Sequence, residues 1–410
     1  MIRDLKDRYR DSFYRKYAVY TALETELLFF MVYDIVFLSQ VKQLSLDQIS
    51  MITFVSLVFS LLIQYPLLKW INARGNRKAV RLGSLLFLAA SLILLCSRRF
   101  LLILLGAFLK CAGHTCNAMG PALLKNHLKK DQKEDMYVSY QSDANSVTSL
   151  FMMVTALLCG VFFSVNPYLP MIACSICALA GVILSFQISS AEEGRKEIVS
   201  ASEARAYAKK KGMNISVMIL LAAFAIFTAL TGTGLSYARM NIMKVLEGTE
   251  SGVVGFLTSA SVLIYLIRML SNVFLRQLYS RIRTFAMVGV SFLLCLGLGF
   301  LYLPWLPIAS SSLTAVLLFA GYLLLAFVRD PFVTVTQQIS LVDTNIQEQQ
   351  TILIGLNTAK KAGSMALSAI ATFLLRNGTI TEVIGFMFMM AVISFVLCLL
   401  ILRRQLHGGQ

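Results

Sequence analysis

The chain has 410 residues, of which 57% are hydrophobic and only 14% charged, with a mean hydropathy of +0.72. Soluble domains carry about 25% charged residues, so the composition excludes a soluble globular protein and points to a chain that crosses a bilayer many times. A net charge of +16 would suggest a nucleic-acid partner in a soluble chain, but here the basic residues sort by loop and no nucleic acid is expected.

Residues 1–16 alternate charge with Leu5, Tyr9, Phe13 and Tyr14 and read as a cytoplasmic amphipathic segment lying against lipid headgroups. The first apolar run, Tyr17 to Gln40, is long enough for the ~20 residues that a bilayer core demands, yet it carries Glu24, Glu26 and Asp34. A carboxylate at membrane depth is costly unless it is protonated, paired or facing water. Apolar runs bounded by charge, Gly or Pro then give twelve spans, at 17–40, 48–71, 79–97, 100–123, 136–164, 167–189, 213–238, 251–275, 284–303, 308–337, 350–375 and 380–402. The long polar stretch between spans 6 and 7 divides the chain into a six-span unit at 17–189, a cytoplasmic linker at 190–212, a second six-span unit at 213–402 and a tail at 403–410. Two halves of nearly equal length are the layout of a duplicated unit.

Placing the N-terminus in the cytoplasm puts 26 Lys and Arg residues in loops and tails on that side and six on the other. The positive-inside rule therefore expects a multi-pass protein of the plasma membrane with both termini cytoplasmic. Sixteen polar residues precede the first span, which is expected to direct insertion itself, with no cleavable signal. All eight cysteines fall within spans and imply no disulfide framework. Cys174 and Cys177 form a CxxC without a nearby His or carboxylate, so no metal is expected there, and no cofactor is expected anywhere.

Each half has a basic turn after its second span, at 68–81 and at 275–283. With these turns the chain resembles the major facilitator superfamily over essentially its whole length. That family places a G-x-x-x-D-R-x-G-R-R-like turn between spans 2 and 3, where it locks the cytoplasmic gate. Gly75, Arg77 and Lys78 match it, whereas Asn72 stands where the acid is expected and Ala73 where a base is expected. The run ELLFF at 26–30 and FLSQVKQLSLDQIS at 37–50 resemble bacterial members, many of them exporters. Span 5 lacks the GP-x-x-GG pattern of drug antiporters, and in span 4 Ala107 replaces their arginine, with Lys110 one turn later. The resemblance implies an all-α membrane protein, twelve transmembrane helices in two pseudo-symmetric six-helix bundles, in which spans 3, 6, 9 and 12 are outer supports and the others line a central cavity.

The charges agree with that arrangement. Membrane-depth charges are Glu24, Glu26, Asp34, Lys110, Asp143, Arg268, Arg329, Asp330, Lys360 and Lys361, all outside spans 3, 6, 9 and 12. The first half nets −3 and the second +3. Glu24, Glu26, Asp34 and Asp143 are the candidates for proton coupling, and Lys110, His114, Arg268, Arg329, Asp330, Lys360 and Lys361 for substrate binding or gating. Glu24 and Glu26 point to different sides, since two residues turn a helix by about 200°. Glu24, Glu26, Arg268 and Arg329 also admit fixed bridges near the cytoplasmic end, His114 a hydrogen-bonded core role, and Arg329-Asp330-Pro331 a local bridge at a bend.

No ATP-binding Gly-x-x-x-x-Gly-Lys-Ser/Thr motif is present and no cluster supports enzymatic chemistry, so an ion gradient, of protons by preference, is the expected energy source. The leading expectation is a monomeric secondary transporter that exports an amphipathic small molecule, peptide-like product or lipid by alternating access. Proton-coupled uptake of an anionic solute and a non-transporting receptor are the alternatives.

Overall fold

The computed structural model describes residues 11–31, 34, 37–44, 46–188, 215–246, 250–282, 285–303, 311–341, 346–377 and 380–407. The expected tail up to residue 10 and the expected linker at 190–212 lie outside the described residues. The described chain is helical: α1 (Ser12–Glu24), α2 (Leu46–Leu62), α3 (Gln64–Arg74), α4 (Asn76–Cys96), α5 (Phe100–Asn117), α6 (Gly120–Lys130), α7 (Tyr137–Val165) and α8 (Leu169–Gln187) in the first half. The second half holds α9 (Ile215–Leu246), α10 (Glu250–Ile282), α11 (Phe285–Tyr302), α12 (Ser311–Leu341), α13 (Ile346–Asn377) and α14 (Ile380–His407). Among the described residues nine helical stretches are long and apolar enough to cross a membrane, and ten if α2 and α3, bent by 43° at their junction, make one span. The first expected span falls short because it is broken, and α13 because Lys360 and Lys361 lower its apolarity.

The duplication read from the sequence reappears in the packing. In the first half α1 packs on α7 and α8, α4 on α5 and α8, and α2 on α5; in the second half α9 packs on α13 and α14, α11 on α12 and α14, and α10 on α12. Each of these pairings in one half has its counterpart six spans later. Glycine permits the tightest of them in both halves. A Cβ on Gly113 would lie 2.9 Å from the Gly83 carbonyl oxygen, and one on Gly321 would lie 2.6 Å from that of Gly297. These backbones touch because neither residue carries a side chain, the small-residue packing that holds helices together where lipid supplies no hydrophobic drive. Between the halves α7 packs along α10, and α3 and α2 meet α13, a second pair related by the same symmetry.

The start of α1, the end of α6, the start of α7, the end of α10 and the end of α14 share one face. Asp11 reaches His127 of α6, Asp143 of α7 pairs with Arg276 of α10, and Cys398 of α14 meets Ser291 near the start of α11. From residue 11 the chain already belongs to the bundle: Phe13 and Tyr14 are buried, and the Tyr14 hydroxyl donates to the Tyr140 carbonyl at 3.0 Å.

The first expected span differs from one continuous helix. Helix α1 stops at Glu24, Thr25 to Phe29 form successive turns, Phe29 adopts a φ of 63°, and a π-helical turn follows at Phe37–Val41. A left-handed phenylalanine cannot continue a right-handed helix. The break exposes backbone carbonyls at membrane depth, and such groups persist only where protein partners satisfy them. One partner is Cys159 of α7, whose thiol donates to the Phe29 carbonyl at 3.7 Å.

Candidate functional site

Glu26 lies inside this break, held by turns rather than by a helix, and is only half-buried. The charges acting on it come from both halves: His114 and Lys110 of α5, Lys360 of α13 and Arg329 of α12. Lys361, beside Lys360, acts on the same His114, and its ammonium donates to the Thr115 hydroxyl of α5 at 3.4 Å, a bond that crosses between the halves. Lys110 stands over the Phe30 ring at 5.5 Å. Lys110, Arg329, Lys360 and Lys361 are half-buried although they sit mid-helix, and His114, in the last turn of α5, is half-buried too. Partly accessible charge in the middle of a helical bundle faces internal aqueous space, which is where intramembrane ions are tolerated.

Arg268 and Asp330 neutralise each other within the same neighbourhood. The guanidinium of α10 grips the α12 carboxylate through two bonds of 2.9 Å, the Asn272 amide adds a third at 3.3 Å, and the Tyr265 ring lies 5.7 Å from the guanidinium carbon. A bidentate pair with a supporting amide is a fixed element. Its partners belong to the second half alone, so it positions α10 against α12. Besides this pair, the cations Lys110, Arg329, Lys360 and Lys361 act on the carboxylate of Glu26.

Asp143 lies apart from this cluster. It is buried on α7 and forms an ion pair with Arg276 of α10, near the face that carries the chain ends. Three further bonds join the halves at that level. Asn145 donates to the Thr334 hydroxyl at 3.0 Å, Tyr137 to the side-chain amide oxygen of Gln337 at 3.5 Å, and Gln350 to the side-chain amide oxygen of Asn76 at 2.6 Å. These contacts tie the two halves together toward the terminal face. In the turn after α3, Asn72 and Lys78 are exposed and Arg77 is half-buried, while Gly75 has a φ of 86° that suits a residue without a Cβ. A bond across the halves is made by Asn76, four residues beyond Asn72, where the motif has a base. Asp34 is half-buried on the far side of the break.

Glu24 belongs to neither group. It is 3% exposed, and the Asn117 amide of α5 donates to its Oε2 at 2.8 Å. Its surroundings are all in the first half. A recess of ≈ 70 Å³ beside it is lined by Tyr17, Thr21, Thr25, Pro121 and Gln141 among others. At the terminal face, His127 lies 2.9 Å from an Asp11 oxygen and 3.8 Å from an Asp131 oxygen, with the Phe13 ring stacked on it at 3.9 Å.

The sequence missed Gly83, Gly181, Asn76, Asn117 and Gln350 as positions that matter. Glycines at 83, 113, 297 and 321 fall in corresponding spans of the two halves, and that repetition was the available signal. Nothing in a single amide residue marks it as a bundle contact.

The sequence model of the Major Facilitator Superfamily matches residues 21–359. No curated protein sequence matches the chain. Among solved structures it resembles the human organic anion transporter MFSD10 (TETRAN), with 14% identity, 94% of this chain and 99% of that one covered, and a TM-score of 0.67. A bacterial homologue of the iron transporter ferroportin, in an outward-facing state with soaked iron, shares 12% identity over 96% of this chain and 98% of that one, with a TM-score of 0.67. The proton:xylose symporter XylE bound to 6-bromo-6-deoxy-D-glucose shares 11% identity over 95% of this chain and 94% of that one, with a TM-score of 0.69. At these identities the structures speak for the fold, while the family match spans most of the sequence. The chain therefore belongs to the Major Facilitator Superfamily and is a multi-pass membrane transporter rather than an enzyme.

Proposed function

We propose that this transporter carries an anionic, amphipathic organic solute together with a proton. The observation that carries the reading is the charge cluster at mid-membrane, where Lys110, Arg329 and Lys360, with Lys361 alongside, act on Glu26 from both halves. While Glu26 is ionised it serves as the internal counter-ion. Once it is protonated, the cations are left for an anionic group of the solute. Proton and anion then favour each other's binding, and that favour is reciprocal by linkage. Export against an inward proton gradient would need the two to exclude each other, so the site supports symport over the export reading. Phe30 and Tyr265 supply apolar surface beside the cations. A likeness to an organic anion transporter accords with this substrate class.

Glu26 and Lys110 belong to the first half and Arg329, Lys360 and Lys361 to the second, so alternating access by rocking of the halves would open and close this cluster. The charge bias of the loops supports cytoplasmic termini, and the protein works as a monomer in the plasma membrane on this reading.

The test uses purified transporter in proteoliposomes and a panel of radiolabelled aromatic and acyl carboxylates and phosphate esters. An imposed inward proton gradient is expected to drive accumulation of at least one anion. Glu26→Gln is expected to keep anion exchange and lose gradient-driven accumulation. Accumulation driven instead by an outward proton gradient, or selective for cations, would overturn the reading.

A further inference from the structure

Glu24 and Glu26 are two residues apart and live in unrelated surroundings. Glu24 Oε2 accepts from Asn117 Nδ2, and Asn117 Oδ1 accepts from the Tyr20 hydroxyl at 3.1 Å. Both polar tips sit in notches made by missing side chains: a Cβ on Gly83 of α4 would collide with Asn117 Oδ1, and one on Gly181 of α8 with Glu24 Oε1. Glu24 Oε1 is buried and receives no hydrogen bond. The Ser84 hydroxyl stands within hydrogen-bonding reach of the carboxyl and also of the Val80 carbonyl, 3.2 Å away. Tyr17 and Tyr20 on α1, Cys116 on α5 and Gln141 on α7 complete the surroundings, and no cationic side chain of the described residues acts on Glu24.

A buried ionised carboxylate needs several donors or a cation nearby, and this one has one amide and a hydroxyl that the Val80 carbonyl also claims. The neutral acid satisfies every group: Oε1–H can donate to the Ser84 oxygen, whose own hydrogen then goes to the Val80 carbonyl. We propose that Glu24 is a resident proton-binding site, a neutral carboxylic acid that locks α1, α4, α5 and α8 together and keeps its proton throughout the transport cycle. Rocking changes the surroundings of groups at the interface between the halves. Tyr20, Ser84, Asn117 and Gly181 all move with Glu24 as part of one bundle, so nothing in the cycle offers the carboxyl a cation or bulk water. This inference uses the rocking of the halves and is independent of which solute is carried.

The experiment compares the parent protein with Glu24→Gln and Glu26→Gln in lipid vesicles. Infrared spectra at neutral pH should show the carbonyl stretch of a protonated carboxylic acid in the parent and in Glu26→Gln, and lack it in Glu24→Gln. Spin labels on the terminal ends of α7 and α10 report the open-to-closed equilibrium as pH is varied. Its pH dependence should be the same in Glu24→Gln as in the parent. Glutamine has the shape and hydrogen-bonding pattern of the neutral acid, so Glu24→Gln should fold and melt at about the parent temperature, whereas Glu24→Asp, too short to fill the Gly181 notch, should melt lower. A carbonyl band unchanged in Glu24→Gln, a shifted pH dependence in that variant, or its failure to fold would each overturn the proposal. Failure of Glu26 to couple protons would leave all three readouts untouched.

Discussion

The interior of the first bundle and the seam between the two bundles treat the same residue type in opposite ways. Inside the bundle, Glu24 is enclosed by amides, hydroxyls and glycines and meets no cation. At the seam, Glu26 meets cations contributed by both halves, and Asp143 pairs with Arg276 across them. The difference teaches where a charge can do work in a rocking transporter. A group whose partners all move with it contributes to the fold, while a group whose partners lie across the seam contributes to the equilibrium between conformations.

Substitutions can break or sharpen that contrast, since seam variants should move the conformational equilibrium and interior variants the melting temperature. The largest effect is expected for Asp143→Asn. It leaves Arg276, only 9% exposed, without its counter-ion, a loss typically worth about 3–5 kcal/mol. Opening rehydrates the arginine, so the cost should appear as a swing toward the state open at the terminal face, read by accessibility of a cysteine placed there. The double variant with Arg276→Gln should recover most of the closed population. Lys360→Ala comes next. Removing one cation from around Glu26 should weaken anion binding by about ten- to a hundredfold, as expected for a charge-assisted bond of about 1.5–3 kcal/mol, in an exchange assay.

The interior counterpart is Gly321→Ala. Its Cβ would meet the Gly297 carbonyl at 2.6 Å, and because that atom is backbone, the helices must separate, at a cost of about 1–3 kcal/mol. The variant should melt lower with its open-to-closed ratio unchanged; an altered ratio would refute the separation of interior and seam. Gln350→Ala removes one neutral bond to Asn76 and should shift the equilibrium by only about 0.5–1.5 kcal/mol. The smallest effect belongs to His127→Ala. Its partly exposed pairing with Asp11 lies at the bundle's edge, so a loss under about 1 kcal/mol and unchanged transport are expected.

Much of this was legible in the sequence because a bilayer imposes simple rules. Apolar length fixes where spans run, loop charge orients them, and the cost of burying ions confines Lys110, Arg268, Arg329, Lys360 and Lys361 to helices around a watery interior. The sign difference between the halves was visible too. The separate roles of Glu24 and Glu26 were not. A regular helix already turns them to different sides, but it says nothing of which neighbours await on each side, and neither the end of α1 at Glu24 nor the left-handed Phe29 beyond Glu26 has a marker in its residue type.

The amino-acid sequence by itself determined the membrane setting, the duplicated layout and the confinement of charge, because these follow from hydropathy and spacing along one chain. Only the tertiary structure decided that Arg268 and Asp330 cancel each other, that Asn76 and Gln350 stand where an acid at 72 was looked for, and that Glu24 rests against Gly181 while Glu26 faces the cations. Each of those outcomes depends on which helices are neighbours. Helix neighbours are chosen by close approach at glycine contacts and by packing across hundreds of residues, and no local spacing encodes that choice.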